Sequence, residues 1–361
     1  MTVRYCSLPP QPAPALPPGL ADERRRALSS GRRMWVNGTV LHYCFFDGDQ
    51  DGSVIALPGD GGTRHVSWVG GEEQRDVVRG AFGQWQDLGI GVTFVEVADR
   101  SEAELRIGFQ RGAGSWSAVG REALRAGRGE RTMNFGWDLT APGEQATALH
   151  QVGHALGPLH QHQSPYAGLH FDEEAVYAHL AGPPNFFSRE RTYANVLRTL
   201  DAAEVDGPVW DPQSVMQFPF AAGMVLEPEQ YRRGLHPPGT LSPQDKEAVL
   251  RWYPPAGTER PAALVPFRSV PLRLGPGEQA DFTVEPAETR AYRVGVFGDA
   301  DCVVVVFEER DGEPRFLAGR DDGGTSHNAR LTARLVRGRR YVVRVRLYSG
   351  WGAGETAVMC W

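Results

Sequence analysis

The sequence predicts an α+β fold, a mixed sheet with a long helix packed behind it, followed by a separate all-β sandwich. Three observations carry this expectation. Val78, Phe82 and Trp85 recur at helical spacing between two strand-like runs. A second helix holds His150 and His154 four residues apart and is stopped by Gly157-Pro158. Beyond Ala256 the texture changes to short β-branched runs separated by turns.

In chain order, residues 1–33 read as a tail with prolines at 9, 10, 12, 14, 17 and 18, stiff and unable to build a core, with a short basic helix around Asp22–Arg26. From Trp35 to Leu105 the order is strand, loop, helix, strand. Val92–Val97 is a β-branched run that sets Val95 and Val97 on one face and Glu96 on the other. Leu105, Ile107 and Phe109 alternate with Arg106 and Gly108 in the same way. In the half from Asp172 to Pro255, mostly helix and loop, Asp172–Tyr177 opens one helix and Ser242-Pro243-Gln244-Asp245 caps another. Gly257–Pro261 reads as a linker, and Ala291–Val296, Cys302–Phe307 and Tyr341–Leu347 read as strands. The expected domains are therefore a tail at 1–33, a first domain at 34–256 and a β-sandwich at 262–361. Asp321-Asp322-Gly323-Gly324 could ligate calcium, with a plain hairpin turn the simpler expectation.

With 41% hydrophobic and 23% charged residues in 361, the chain has the make-up of a soluble globular protein with room for two domains. A net charge of -6 gives no electrostatic case for nucleic acid or an anionic membrane. No apolar run approaches the roughly 18 residues of a membrane helix. Met1–Pro10 lacks the apolar core of a secretory signal, so the chain as given is expected to be cytoplasmic or to be missing its export signal. Four cysteines are too few for a disulfide scaffold and permit three complete pairings; Cys302 and Cys360 both fall in C-terminal strands, where a bond is allowed. Nothing in the pattern fixes an oligomeric state.

The run His150-Gln151-Val152-Gly153-His154-Ala155-Leu156-Gly157-Pro158-Leu159-His160 carries the chemistry. Two histidines four apart on a helix point from one face, so both imidazoles reach one ion. Gly157 can take the left-handed conformation that ends a helix, Pro158 keeps it from resuming, and the chain can turn back to bring His160 under the same ion. Three histidines with one open position make a catalytic type of zinc site, so Zn2+ is the expected cofactor.

This run resembles the metzincin signature, and Ser214-Val215-Met216-Gln217-Phe218 supplies the methionine turn that follows it in those proteins. From about Trp35 to Pro255 the chain resembles the microbial astacin-like zinc peptidases. Met34–Tyr43 looks like their opening strand and Ala81–Trp85 sits in their first long helix. Gly114–Gly120 looks like their edge strand, and His160–Pro165, Asp211–Met216 and Leu241–Asp245 are similar as well. The resemblance implies a zinc-dependent endopeptidase acting on a peptide or protein substrate. His150, His154 and His160 would be the metal ligands and Met216 the floor beneath them. The substrate backbone would pair with Ser115, Trp116, Ser117 and Val119. Family members are commonly exported. Beyond the linker, Asp321–Gly324 with Asn328–Leu331 resembles the bacterial prepeptidase C-terminal domain.

Three positions depart from the family. Gln151 stands where a glutamate takes a proton from the attacking water and passes it to the leaving amine. An amide can hold water but has no accessible pKa, and such a base typically contributes ~10²–10⁴-fold. Phe218 stands where a tyrosine stabilises the oxyanion, a donor worth ~10²–10³-fold. Gln161 replaces a glutamate. Glu144 lies about 10 Å along the helix from Gln151, too far to substitute, and is expected to be a first-turn residue favoured by the helix dipole. Cys6, in Arg4-Tyr5-Cys6, bears a faint likeness to the cysteine switch of matrix metalloproteinase propeptides; a surface or disulfide cysteine is the plainer expectation. The resulting reading is an astacin-like zinc metalloendopeptidase with impaired hydrolysis. The alternative is an inactive pseudopeptidase that binds zinc and a peptide or protein partner. In a third reading zinc is purely structural.

Overall fold

The computed structural model describes residues 3–9, 33–57, 61–202, 204–205, 209–255, 261–275, 278–310, 312–320, 328–348 and 353–361. The Pro-rich stretch from Pro10 with its basic helix, the linker at 257–260 and the Asp321–Gly324 turn lie outside these residues. Contacts divide the chain into two units. One comprises Met1–Trp35, Leu41–Leu88 and Phe94–Glu247, the other Val36–Val40, Gly89–Thr93 and Ala248–Trp361.

The first unit is built on a mixed sheet. Its strands are β1 (Val40–Phe45), β4 (Thr93–Glu96), β5 (Leu105–Gly108), β6 (Trp116–Ser117) and β7 (Met133–Asn134), in the order β4-β1-β5-β7-β6. β5 runs parallel to β1 and β7, whereas β6 is antiparallel to β7 and forms the edge. A separate hairpin joins β2 (Gly52–Ala56) and β3 (Thr63–Ser67), and a short ladder joins β8 (His170–Phe171) and β9 (Val225–Glu227). Helix α1 spans Glu72–Gln86 and buries Val78, Ala81, Phe82 and Trp85, the i, i+3, i+4, i+7 stripe of a core-facing helix. Glu72 and Glu73 occupy its first turn, where the helix dipole favours negative charge. Helix α2 spans Gln145–Leu156 and is buried from Ala148 onward. Two indoles tie it down: Trp85 Nε1 donates to Leu149 O at 3.1 Å and Trp35 Nε1 to Ala155 O at 2.7 Å.

Some local expectations shift. The opening strand starts at Val40 rather than Met34, and the edge strand is two residues long rather than the seven of Gly114–Gly120. In the β4 region Val92 and Phe94 form the buried face, while Val95 and Val97 are only half-buried. Arg106 is not on a solvated face. It is 5% exposed, because its guanidinium donates to the carbonyls of Glu130, Ala103 and Ala126 and so satisfies a charge that could not otherwise be buried. Helix α3 (Glu173–Ala181) is capped by the Asp172 carboxylate, which accepts from Ala175 N, and α4 (Pro243–Trp252) by Ser242 Oγ, which accepts from Asp245 N at 2.9 Å.

The second unit is a sandwich of two sheets. One runs β10 (Ala262–Ala263), β12 (Gln279–Val284), β17 (Tyr341–Leu347), β14 (Cys302–Arg310), β15 (Glu313–Arg320). The other runs β11 (Val270–Leu274), β18 (Gly354–Cys360), β13 (Arg290–Gly298), β16 (Arg330–Leu335). Val304, Val306, Val343 and Val345 from the first meet Val294, Val296, Leu331 and Val358 from the second in one core. Cys302 and Cys360 are buried in it as free thiols. Among the described residues no helix is long and apolar enough to cross a membrane.

Replacing Trp85 with alanine removes both the packing and the indole tether on α2. The expected loss is about 3–5 kcal/mol of stability, measured by denaturant unfolding. A loss under ~1 kcal/mol would show that α1 does not hold α2 in place.

Candidate metal centre

Helix α2 stops where the sequence expects. Gly157 has φ 118, the left-handed backbone that a side chain would strain, and the chain reverses to bring His160 back beneath the helix. His154 Nε2 then lies 3.0 Å from His150 Nε2 and 3.1 Å from His160 Nε2. A tetrahedral ion about 2.1 Å from each nitrogen would set its ligand atoms roughly 3.4 Å apart, close to what is seen.

The far side of each ring shows what these short distances mean. His150 Nδ1 lies 2.8 Å from Val215 O and His154 Nδ1 2.9 Å from Pro158 O. A carbonyl only accepts, so both Nδ1 atoms carry the proton. His160 Nδ1 faces Gln163 Oε1 at 3.2 Å, and that amide is oriented by its own NH₂ donating to Ala194 O and Arg198 O. All three Nε2 atoms therefore present lone pairs to one point. Lone pairs converging at 3 Å repel unless a cation sits among them, so the donor set fits a metal ion and little else. Burial keeps the rings neutral, pushing His150 down to about 4 and His154 and His160 well below their usual value.

A fourth candidate ligand stands beside the histidines, one that the sequence only hinted at. Cys6 Sγ clusters with the three Nε2 atoms, all four within 4.8 Å of one another and all buried. Neither a surface nor a disulfide cysteine, Cys6 is buried and free, and its thiol donates to Gln151 Oε1 at 3.6 Å. Burial pushes that thiol up to about 12 against the opposing hydrogen bonds to Gln151 and Leu8; a divalent cation at the histidines would draw it to the thiolate.

The methionine turn lies under the ligands. Met216 is buried, and a Cβ on Gly153 of α2 would run into its Sδ, so glycine leaves room for this close approach. Asp245 fixes the turn by accepting from Ser214 Oγ at 2.5 Å, Val215 N at 2.8 Å and Ser242 N at 3.0 Å. Burial raises the Asp245 carboxyl above its usual range, with those donors working against the rise. Val215 thus passes the constraint to the metal site, since its carbonyl holds His150.

Gln151, 1% exposed, stands beside the ligands. Phe218 is buried, its ring 4.2 Å from that of His160, 4.5 Å from His162 and 5.2 Å from Tyr5. Glu144 stands at the N-terminal cap of α2 and is committed elsewhere, to Arg4, Trp137 Nε1 and Thr147 Oγ1. Gln161 accepts at long range from Asp211 N, at 3.5 Å. Of the edge-strand residues, Ser115 O accepts from Ser7 N at 3.0 Å. Trp116 lines a cavity of about 550 Å³ together with Leu8 and Pro9. Ser117 is buried with its hydroxyl on Ala118 O, and Val119 is buried in the core beside Leu180 and Phe218, so these two side chains face away from any ligand.

Residues 67–171 match the family model of Astacin, a peptidase family. Over these residues the chain is similar to the astacin family. Among solved structures, myroilysin is similar at 28% identity over 63% of this chain and 98% of its own, with a TM-score of 0.52. High choriolytic enzyme 1, a hatching enzyme zinc-protease from Oryzias latipes, aligns at 15% identity over 61% of this chain and 94% of its own, with a TM-score of 0.38. The pre-peptidase C-terminal domain of collagenase from Bacillus anthracis aligns at 15% identity over 29% of this chain and 99% of its own, with a TM-score of 0.26. No curated protein gives a match. Within the matched stretch, the buried Gln151 stands where the family has its glutamate.

Sequence reasoning assigned no role to Gln163 or Asn185. Gln163 lies three residues beyond a ligand, a spacing that could have marked it as a ring-orienting partner. Asn185 is joined to the site only by contacts 180 residues away in sequence, and no local signal points to it. The purified chain is expected to hold about one divalent metal ion, read by elemental analysis, and His154→Ala to hold none. Gln163→Leu frees the His160 ring and should weaken metal binding ~10–100-fold in a chelator competition.

Proposed function

We propose that this chain is an astacin-type zinc metalloendopeptidase in lineage whose hydrolytic step is impaired, and whose cleft holds a peptide better than it cuts one. Three neutral imidazoles with a thiol alongside are a donor set that suits zinc. Zinc, when bound, would polarise the attacking water and the scissile carbonyl. His150, His154 and His160 hold it in a fixed tautomer, and Ser115 O offers an acceptor to the N–H of a bound peptide, as it does to Ser7.

The observation that carries the reading is the buried amide of Gln151 at the position of the base. It can orient a water through a hydrogen bond, but no proton can be stored on it. Among the described residues, the metal-facing cluster contains one cysteine and three histidines and no carboxylate. Glu144 cannot step in, because both of its oxygens are engaged away from the ligands. Phe218 offers no donor to a developing oxyanion. The peptide-binding reading is favoured by a further observation: residues 3–8 of the same chain already lie in the cleft, with Cys6 at the open position.

Because Cys6 blocks that position, the decisive comparison is made in a Cys6→Ala background. There Gln151→Glu is expected to raise hydrolysis of a peptide library by ~10²–10⁴-fold. Adding Phe218→Tyr should raise it again, though not additively, since both groups serve one transition state. If Cys6→Ala alone cleaves as fast as the chain that also carries Gln151→Glu, the impairment is disproved and the chain is an ordinary peptidase.

A further inference from the structure

The segment at residues 3–8 is held by side chains as well as by backbone. Asn185 turns its side-chain amide to this segment, accepting from Tyr5 N at 2.9 Å and donating to Val3 O at 3.1 Å. Ser115 O accepts from Ser7 N, and Asn195 Nδ2 donates to Leu8 O at 3.4 Å. Contacts at residues 3, 5 and 7 have the two-residue period of an extended chain. They read peptide groups only and carry no preference for sequence.

The side-chain contacts do carry one. Arg4 Nη1 lies 3.0 Å from Glu144 Oε1, with its guanidinium 5.7 Å from the Trp137 ring. Glu144 is set in place independently of Arg4. Its other oxygen accepts from Trp137 Nε1 at 2.6 Å and Thr147 Oγ1 at 2.9 Å, so a carboxylate and an aromatic face stand ready for a cation. Tyr5 is 1% exposed, packed edge-on against Phe218 at 5.2 Å and His179 at 6.4 Å, with Phe220 at 6.5 Å. Its hydroxyl has no hydrogen-bond partner among the described residues, so the pocket accepts the ring and gains nothing from the phenol. Phe218 acquires a function here: the ring standing in place of the family tyrosine is a wall shared by His160 and Tyr5.

We propose that the cleft contains two side-chain subsites beside the metal, an acidic one at Glu144 and Trp137 and an aromatic one at Phe218, Phe220 and His179. Its ligand is then an extended peptide with a basic residue followed by an aromatic one, next to a side chain that seeks the metal. The chain's own Arg4-Tyr5-Cys6 is the occupant from which this selectivity is read. The inference rests on the peptide-binding reading above and adds the chemical class of the peptide.

The full-length chain with Arg4→Ala, Tyr5→Ala and Cys6→Ala, loaded with zinc, leaves both subsites vacant for a ligand in trans. Binding of the fluorescein-labelled peptide Val-Arg-Tyr-Cys-Ser-Leu-Pro is followed by anisotropy. Replacing the peptide's tyrosine by alanine should cost at least about a hundredfold in affinity, and replacing it by phenylalanine nothing. Replacing its arginine by glutamate should cost about fivefold, and Glu144→Lys in the protein should reverse that preference. Peptides that all bind within twofold of one another would overturn the subsites and leave the peptide cleft standing. If no peptide binds while zinc is held, both fall. Should the triple variant not fold, single substitutions in the otherwise unaltered chain decide it. Tyr5→Ala should raise the rate at which a thiol reagent modifies Cys6 at least tenfold, and an unchanged rate would sink the aromatic subsite.

Discussion

Three imidazole lone pairs aimed at one point cannot be held there for free, and most of the first unit can be understood as the means of holding them. Each ring is tethered from behind by an acceptor on a different element: Val215 in the methionine turn, Pro158 in the reversal after α2, Gln163 in the turn beyond His160. The tethers are themselves fixed, Val215 by Asp245 and Gln163 by two backbone carbonyls. Trp35 and Trp85 hold the helix that carries two of the ligands. A metal ion converts this arrangement from mutual repulsion to mutual attraction, so ligand geometry and local stability are coupled.

The same geometry explains why the departures from the family pattern leave the fold intact. Gln151 has the shape of glutamate and lies on a helix whose position is fixed by its neighbours. Phe218 keeps the ring of tyrosine and loses only the hydroxyl. Neither residue tethers a histidine ring, and the one contact Gln151 makes to the cluster is as acceptor from the Cys6 thiol. Catalytic groups could therefore be lost while the metal-holding scaffold stayed whole, which is the separation between site and fold that a pseudopeptidase requires.

The parts of this site that could be read in the sequence are those whose spacing is local. His150 and His154 sit one turn apart, Gly157 ends the helix, and Val78, Phe82 and Trp85 mark a buried stripe; each follows from periodicity or backbone conformation within a dozen residues. The strands of the sandwich were legible for the same reason, as in β13, where buried Tyr292 and Val294 alternate with exposed Ala291 and Arg293. The burial of Arg106 was not legible, because alternation says nothing of carbonyls that fold over a charge from elsewhere. Cys6 was undervalued because its partner Gln151 is 145 residues distant, and a lone cysteine after a tyrosine has no periodicity to betray it.

Linking the metal cluster to residues 3–8 changes how the altered catalytic positions are understood. A cleft that holds a segment of its own chain must leave that segment uncut, and a carboxylate base beside it would endanger the bond it grips. With Gln151 in place of the glutamate, the thiol of Cys6 meets a neutral acceptor rather than a carboxylate, and its conversion to a thiolate would meet no like charge at that position. Phe218 meanwhile gives Tyr5 an apolar edge where a phenol would have demanded a partner. Both substitutions therefore suit the bound segment by the same physics that would weaken hydrolysis, so retention of a peptide and impaired cutting would both follow from one change in the polarity of the cleft.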